Sequence, residues 1–169
     1  MILVTVGTHE QPFDRLIRAV DTLIEKEVIT DEVIFQIGYG QYLPQYGAYS
    51  RMFSSERMHV LTEEADVLIT HGGPFSFMSW VEAGRVPILV PRQKQYDEHV
   101  NDHQLHFARM LEQRGEGVLV VENIEELGKV IRCYPELSRK KKRDKQMTTG
   151  CSGENFLMGF KKEMDELLR

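Results

Sequence analysis

The chain has 169 residues and a formal net charge of −5. That length holds one α/β domain with a sizeable core, and the charge argues against a nucleic-acid binder. No apolar run approaches the ~20 residues of a membrane span, and the amino terminus enters a strand directly, so neither an anchor nor a signal peptide is expected. Cys133 and Cys151 stand in no metal spacing and read as free thiols of a reduced cytosol rather than a disulfide.

Ile2 to Val6 is a short β-rich run ended by Gly7. Phe13, Leu16, Ile17, Val20, Leu23 and Ile24 recur at helical spacing, with Pro12 near the first turn. Glu32 to Ile37 reads as a strand and Gly38 to Gly47 as a Gly/Tyr/Pro loop. Ala48 to Phe53 reads as a third short strand, and Ser54 to Ala65 as a short helix or loop. Strands follow at Val67–Thr70 and Pro87–Val90, with a helix from Phe77 to Ala83 between them. A helix from about Glu98 to Arg114 is closed by Gly115. Gly117–Val121 is a last strand and Ile124–Cys133 a helix. Tyr134 to Met147 predicts a very basic helix, Thr148 to Gly153 a turn with Ser152 as a possible N-cap. Phe156, Leu157, Phe160, Met164, Leu167 and Leu168 then predict an amphipathic terminal helix. Strands alternating with helices imply one α/β domain over residues 1–169, a Rossmann-like parallel sheet with helices on both faces.

The stretch from Thr70 to Gln104 is the most informative. A strand, then His71, Gly72, Gly73 and Ser76, then a helix start make an anion site, because free N–H groups and the helix dipole point at one spot. Glycine lets backbone approach a phosphate, and His71 and Ser76 can each add a hydrogen bond. The proline-bounded run Val86–Pro91 is followed by Arg92, Asp97, Glu98, His99, Asn101, Asp102 and Gln104. That polar crowd stands at the carboxyl end of a strand, where open α/β sheets bind ligands. An anion loop beside hydroxyl-reading groups suggests a nucleotide sugar.

These residues resemble the donor-binding box of GT-B glycosyltransferases. The His71–Ser76 turn is similar to the His-x-Gly-x-x-Ser turn of plant UDP-sugar transferases, and the stretch resembles the carboxyl-terminal half of the peptidoglycan N-acetylglucosaminyltransferase. The strongest resemblance is to small donor-binding subunits of two-chain transferases: the eukaryotic dolichol-pathway subunit and the bacterial capsule and exopolysaccharide subunits. MILVTVGTHEQPFDRLI looks like the opening of the bacterial members, and VPRQKQYDEHVNDHQ like their second signature. Motif agreement covers about Met1 to Gly115 and is only general beyond it.

The resemblance implies an inverting hexosyl transfer from a UDP-sugar to a lipid-diphosphate-linked saccharide in capsule or exopolysaccharide synthesis. A membrane-anchored acceptor-domain subunit would supply the other half, and the chain would sit peripherally at the inner face of the cell membrane. Gly7, Thr8, His71, Gly72, Gly73 and Ser76 would hold the nucleotide diphosphate. Arg92, Glu98, Asp102 and Gln104 would read the donor sugar, with Asp102-His103-Gln104 matching the Asp/Asn-His-Gln run of the eukaryotic subunit. Related transferases hold the ribose with a glutamate where Ser79 stands here; Glu82, one helical turn on, either replaces it or is a solvated helix residue. His9 is a candidate phosphate contact or catalytic group, or a structural histidine, and the general base stays unassigned. No cofactor and no metal are implied.

Plainer readings account for several of the same residues. Gly7–Glu10 also makes an ordinary βα turn, and His71–Ser76 a turn needed only for helix–sheet packing. Glu98 and Asp102 at i,i+4 also read as solvated carboxylates on one helix face. His99, His103 and His106 at i, i+4 and i+7 invite zinc, but no HExxH motif exists and the nearest Cys is remote. Arg139–Arg143 is either a solvated helix face or a surface for anionic lipid. Gly38–Tyr49 and Phe156–Leu168 are candidate partner contacts. The rival from another class is a non-catalytic nucleotide-binding module that stabilises or regulates a partner. A dehydrogenase is disfavoured, since no GxGxxG follows the first strand.

Overall fold

A computed structural model describes residues 1–149, the last three by their backbone alone. Six strands, β1 (Ile2–Thr5), β2 (Val33–Gln36), β3 (Ala48–Ser50), β4 (Val67–Thr70), β5 (Ile88–Leu89) and β6 (Leu119–Val120), form one sheet in the order β3-β2-β1-β4-β5-β6. Every pairing is parallel. The helices are α1 (Asp14–Glu25), α2 (Ser55–Glu64), α3 (Met78–Glu82), α4 (His103–Gln113), α5 (Leu127–Arg132) and α6 (Tyr134–Thr149).

Side chains alternate across each strand, so the sheet carries a core on each face. Ile2 and Val4 pack with Leu16, Ile17 and Val20 of α1 and Leu127 of α5. Leu3, Leu68 and Leu89 pack on the opposite face with Leu61 of α2, Trp80 of α3, and Phe107 and Leu111 of α4. Each such fully buried aliphatic side chain contributes roughly 1.5–3 kcal/mol against leaving it exposed. Strand order reverses between β1 and β4. α1 leaves β1 on one face and α3 follows β4 on the other. The two departing loops therefore splay apart and open a crevice at the carboxyl ends of these strands.

The architecture agrees with the expectation, and several boundaries differ. The helix expected from Glu98 starts at His103; residues 98–102 are bends held by side-chain contacts. Glu98 and Asp102 therefore share no helix face, and the helical series His99, His103, His106 does not exist. The helix expected at Phe77–Ala83 is a 3-10 turn, Pro74–Ser76, followed by the five residues of α3. The third strand stops at Ser50 instead of Phe53, and the helix expected from Ile124 opens as a 3-10 turn, Ile124–Glu126. Helix α6 runs through Thr149, so Thr148 and Thr149 are helical, not a turn; after Pro135 in its first turn, no glycine or proline stands before Gly150. The remainder of that turn, Cys151, the Ser152 cap and the terminal helix at Phe156–Leu168 lie outside the described residues. Cys133 is an exposed free thiol. No helix among the described residues is long and apolar enough to cross a membrane.

Helix α6 lies along the amino edge of the sheet. Tyr134 Oη donates to the Val86 carbonyl just before β5 (2.7 Å), Lys141 pairs with Glu112 at the far end of α4 (3.4 Å), and Lys145 Nζ donates to the Val81 carbonyl (3.3 Å). Its basic run is thus at the edge opposite the crevice.

Candidate functional site

A row of polar residues ends three neighbouring strands. Thr5 pairs in register with Gln36 on one side and Thr70 on the other. All three are buried. Such groups are costly without partners, and they are bonded: Gln36 Nε2 donates to Thr5 Oγ1 (3.2 Å), as does the Gly7 N–H (3.3 Å). Both lone pairs of Thr5 Oγ1 are therefore occupied, and its proton is the group left to donate outward.

Above this row, the His71 imidazole lies between the two glycine loops. A Cβ on Gly7 or on Gly73 would overlap the ring, so glycine is required at both positions for His71 to lie there. Burial first, then the positive charge of Arg92, pulls His71 down to about 3, which keeps it neutral at physiological pH. Thr70 Oγ1 stands 3.3 Å from His71 Nδ1 and donates to Ser76 Oγ (3.0 Å), and Ser76 donates to the Gly73 carbonyl (2.5 Å). Thr70 has one hydroxyl proton, so this network assigns the His71 proton to Nδ1 and leaves Nε2 as an acceptor. The Ser76 and Phe77 N–H groups bond the Gly73 and Pro74 carbonyls, and Pro74 brings none. The turn thus offers fewer free amides than a regular helix start, and the short α3 a weaker dipole, so side-chain hydroxyls carry more of the anion-binding capacity.

A hollow of about 340 Å³ is lined by Thr5, Gly7, Thr8, Gln36, His71, Gly73, Ser76 and Ser79. It adjoins a second, of about 420 Å³, that shares Thr8, Gln36 and Ser79 and runs along α2 past Ser55, Met58 and His59. Together they form a groove of the size that small-molecule sites have. Gly72 is buried under α4, where a Cβ would press on Gln104. Ser79 lies at the junction of the hollows. Glu82 is exposed, lines neither hollow, and acts on Lys145 at the opposite edge.

Of the four residues expected to read a sugar, Arg92, Glu98 and Gln104 are buried and Asp102 is half-buried. Arg92, at 0 % exposure, donates to the carbonyls of Val6 (2.8 Å), Gln11 (2.6 Å) and Glu98 (3.0 Å). It ties the loop after β1 to the loop after β5. Burial lowers it to about 10, with nearby Glu98 opposing, so it stays charged. The Glu98 carboxylate makes a two-pronged pair with Arg15 (2.7 and 2.9 Å) and accepts from the Gln93 N–H. Asp102 accepts from the Lys94 N–H (2.8 Å), and Gln104 Oε1 from the Arg92 N–H (3.3 Å). His9 accepts the Gln11 N–H on Nδ1 (3.1 Å), so its neutral ring carries the proton on Nε2; burial and Arg92 lower its pKa.

Thr5, Gln36 and Met58 line the groove and buried Thr70 backs it through His71 and Ser76, none of them singled out as site residues. Three of them carried a usable signal, a polar side chain closing an apolar strand. Asp21 was also missed. It is a buried carboxylate on the apolar face of α1 that accepts from Tyr42 Oη and from the N–H groups of Gln45 and Tyr46. It orders the Gly38–Gly47 loop. Among the described residues, no group of three or more His, Cys, Asp or Glu is placed to hold a metal ion.

A six-stranded parallel sheet in this order, with two glycine loops meeting at its reversal point, defines a Rossmann-like domain of the kind that forms the carboxyl-terminal half of GT-B glycosyltransferases. Residues 1–166 match the glycosyltransferase family 28 C-terminal domain, and the chain belongs to that family. The fold is similar to the glycosyltransferase SnogD from Streptomyces nogalater (TM-score 0.55, 18% identity, 88% of this chain and 38% of that one). It is also similar to the glycotransferase of kitacinnamycin (0.54, 16%, 90% and 39%) and to glycosyltransferase VinC in complex with dTDP (0.50, 16%, 85% and 36%). The chain spans under two-fifths of each of these proteins. No curated protein matches it.

Proposed function

We propose that this domain binds a UDP-sugar in the groove between the Gly7 and His71–Ser76 loops and serves an inverting transfer of the hexosyl group. The acceptor is a lipid-diphosphate-linked saccharide of capsule or exopolysaccharide synthesis. The observation that carries the reading is the His71 ring clasped between Gly7 and Gly73, beside the hydroxyls of Thr5, Thr8 and Ser76. Glycine backbone and hydroxyl donors around an open groove suit a diphosphate that must be bound and then stabilised as it leaves. Gly7, Thr8, His71, Gly72, Gly73 and Ser76 keep the diphosphate role: Gly72 by letting α4 approach, His71 by taking up a proton at Nε2 as the diphosphate binds, and Ser76 by turning its hydroxyl from the Gly73 carbonyl to a phosphate oxygen. Ser79 at the groove's junction is the better ribose candidate than Glu82. Arg92, Glu98 and Gln104 shape the donor site by bracing its loops. Transfer proceeds without a metal, since donors and dipoles supply the charge stabilisation.

An acceptor half completes the cleft, and we place it on a second, membrane-anchored polypeptide. The support is the resemblance of Met1–Ile17 and Pro91–Gln104 to small subunits of two-chain transferases. Membrane attachment falls to that partner, because the Arg139–Arg143 run lies at the edge opposite the groove. One observation favours the rival, a nucleotide-binding module without catalysis: the Glu98 carboxylate, expected to read a sugar, is committed to Arg15 inside the protein.

The deciding experiment co-expresses the chain with a candidate acceptor-domain protein and assays transfer over several UDP-sugars, with and without chelator. Transfer that requires both chains and survives chelation is expected. UDP binding with no transfer from any UDP-sugar would favour the rival, and abolition by chelator with rescue by magnesium would restore a metal to the mechanism.

A further inference from the structure

His9, His99 and His103 come from three segments: the loop after β1, the loop after β5 and the first residue of α4. Their rings meet in a row, His9 tilted against His99 at 4.6 Å and His99 edge-on to His103 at 4.5 Å between centroids. His99 is 8 % exposed. The Nδ1 atoms of His99 and His103 are sealed from solvent without a hydrogen-bond partner, and so is Nε of the neighbouring Arg92. Unsatisfied buried donors and acceptors are rare in native proteins and need a reason. The groups facing the row are cations or neutral, apart from exposed Glu10: Arg92 acts on His9 and His99, His106 on His103, and Asn101 bonds His99. His71 stands close enough for His9 and His99 to act on it. Glu98 and Asp102, the carboxylates nearest in sequence, are held by Arg15 and by the Lys94 N–H.

We propose that this histidine row is an oxyanion subsite beside the diphosphate groove, filled by a charged group of the substrate. Two sources share that chemistry: the carboxylate of an acidic donor sugar, or a phosphate of the lipid-linked acceptor. The proposal rests on the donor-groove reading for its location. Hydroxyl recognition needs free acceptors, and here Glu98 is committed to Arg15 while the groups acting on the rings are mainly cationic or neutral. The unsatisfied groups are imidazoles, which can gain a proton and become two-donor cations. In the free protein, burial and mutual repulsion hold His99 down to about 4, and His9 and His103 below their ordinary value. An oxyanion raises all three, so it binds with proton uptake. Its affinity is lost as pH rises through the bound-state pKa values.

The test follows the imidazole and amide signals of the full chain by nuclear magnetic resonance at about pH 6.5, near the ordinary histidine pKa. His9→Gln, His99→Gln and His103→Gln assign the rings. The probes are UDP, UDP-glucose, UDP-glucuronate and, after saturation with UDP, inorganic pyrophosphate. Ring signals that move to protonated positions with UDP-glucuronate and not with UDP-glucose identify a sugar carboxylate. UDP-glucuronate should then bind about tenfold tighter than UDP-glucose, falling toward parity in His103→Gln. Rings that respond to pyrophosphate instead identify a phosphate. If UDP shifts the Gly7 and Gly73 amides while no probe moves the rings, the subsite is refuted and the donor groove stands. If pyrophosphate moves the rings while UDP leaves those amides unmoved, the subsite stands and the donor groove falls.

Discussion

The His71 ring occupies the space that a side chain at Gly7 would need: a Cβ there would lie 2.6 Å from Nε2. The two loops at the reversal of the sheet are thus fitted to each other before any ligand arrives. Gly7→Ala meets two penalties. Its φ of +73° costs a side chain roughly 1–2 kcal/mol, and the overlap adds about 1–3 kcal/mol. Gly84 has a similar φ of +70° with nothing near its Cβ position, so Gly84→Ala meets only the first. Urea unfolding should show the larger loss at Gly7, and equal losses would mean that the His71 fit is not as described.

Arg92 should matter for stability as much as for ligand. Removing it orphans three carbonyls, those of Val6, Gln11 and Glu98, at ~1–3 kcal/mol for each that stays dry. Arg92→Met should lower the unfolding midpoint sharply and weaken UDP binding, because the Gly7 loop loses its brace. Arg92→Lys should restore little, since one ammonium lacks the fork that spans these acceptors. Arg109, exposed and paired with Glu122, is the contrast: Arg109→Ala should be close to neutral.

Acid should destabilise the fold from about pH 6.5 downward. His71 and His99 are held at about 3 and about 4, while unfolded histidines take up protons near 6.5. These are depressed histidine values, so the unfolded chain binds more protons as pH falls below 6.5. Stability is then full above that pH and lost on the way down to the folded values. Each such histidine adds a slope of up to about 1.4 kcal/mol per pH unit. Urea midpoints between about pH 7.5 and 5 should fall along this slope, and His99→Gln should flatten it. A pH-independent midpoint over that range would contradict buried neutral imidazoles.

The sheet was legible because β1, β4 and β5 are apolar runs, the first two closed by a threonine, as strands buried on both faces must be. The two glycine turns marked where those strands end. What escaped the sequence was the direction of the polar side chains after β5. Arg92, Glu98 and Gln104 looked like ligand contacts by position, but each faces a partner more than ten residues away or across the sheet. A buried arginine leaves no periodic signal. The start of α4 was misplaced for the same reason: Glu98 is fixed by Arg15, 83 residues away, and that pairing overrides local helix propensity. Thr5 reads in the sequence as a strand end and not as the floor of a site, because its register beside Thr70 becomes visible only when β1 and β4 lie side by side.

Calorimetric titration of the chain with UDP, beside His71→Ala and Ser76→Ala, tests the donor groove most directly. The wild-type chain should bind. Each substitution should cost roughly 1.5–3 kcal/mol, the range for hydrogen bonds to a charged group, with folding confirmed by an unchanged amide spectrum away from the two loops. Wild-type affinity for UDP in both variants would show that the nucleotide does not sit between Gly7 and Ser76.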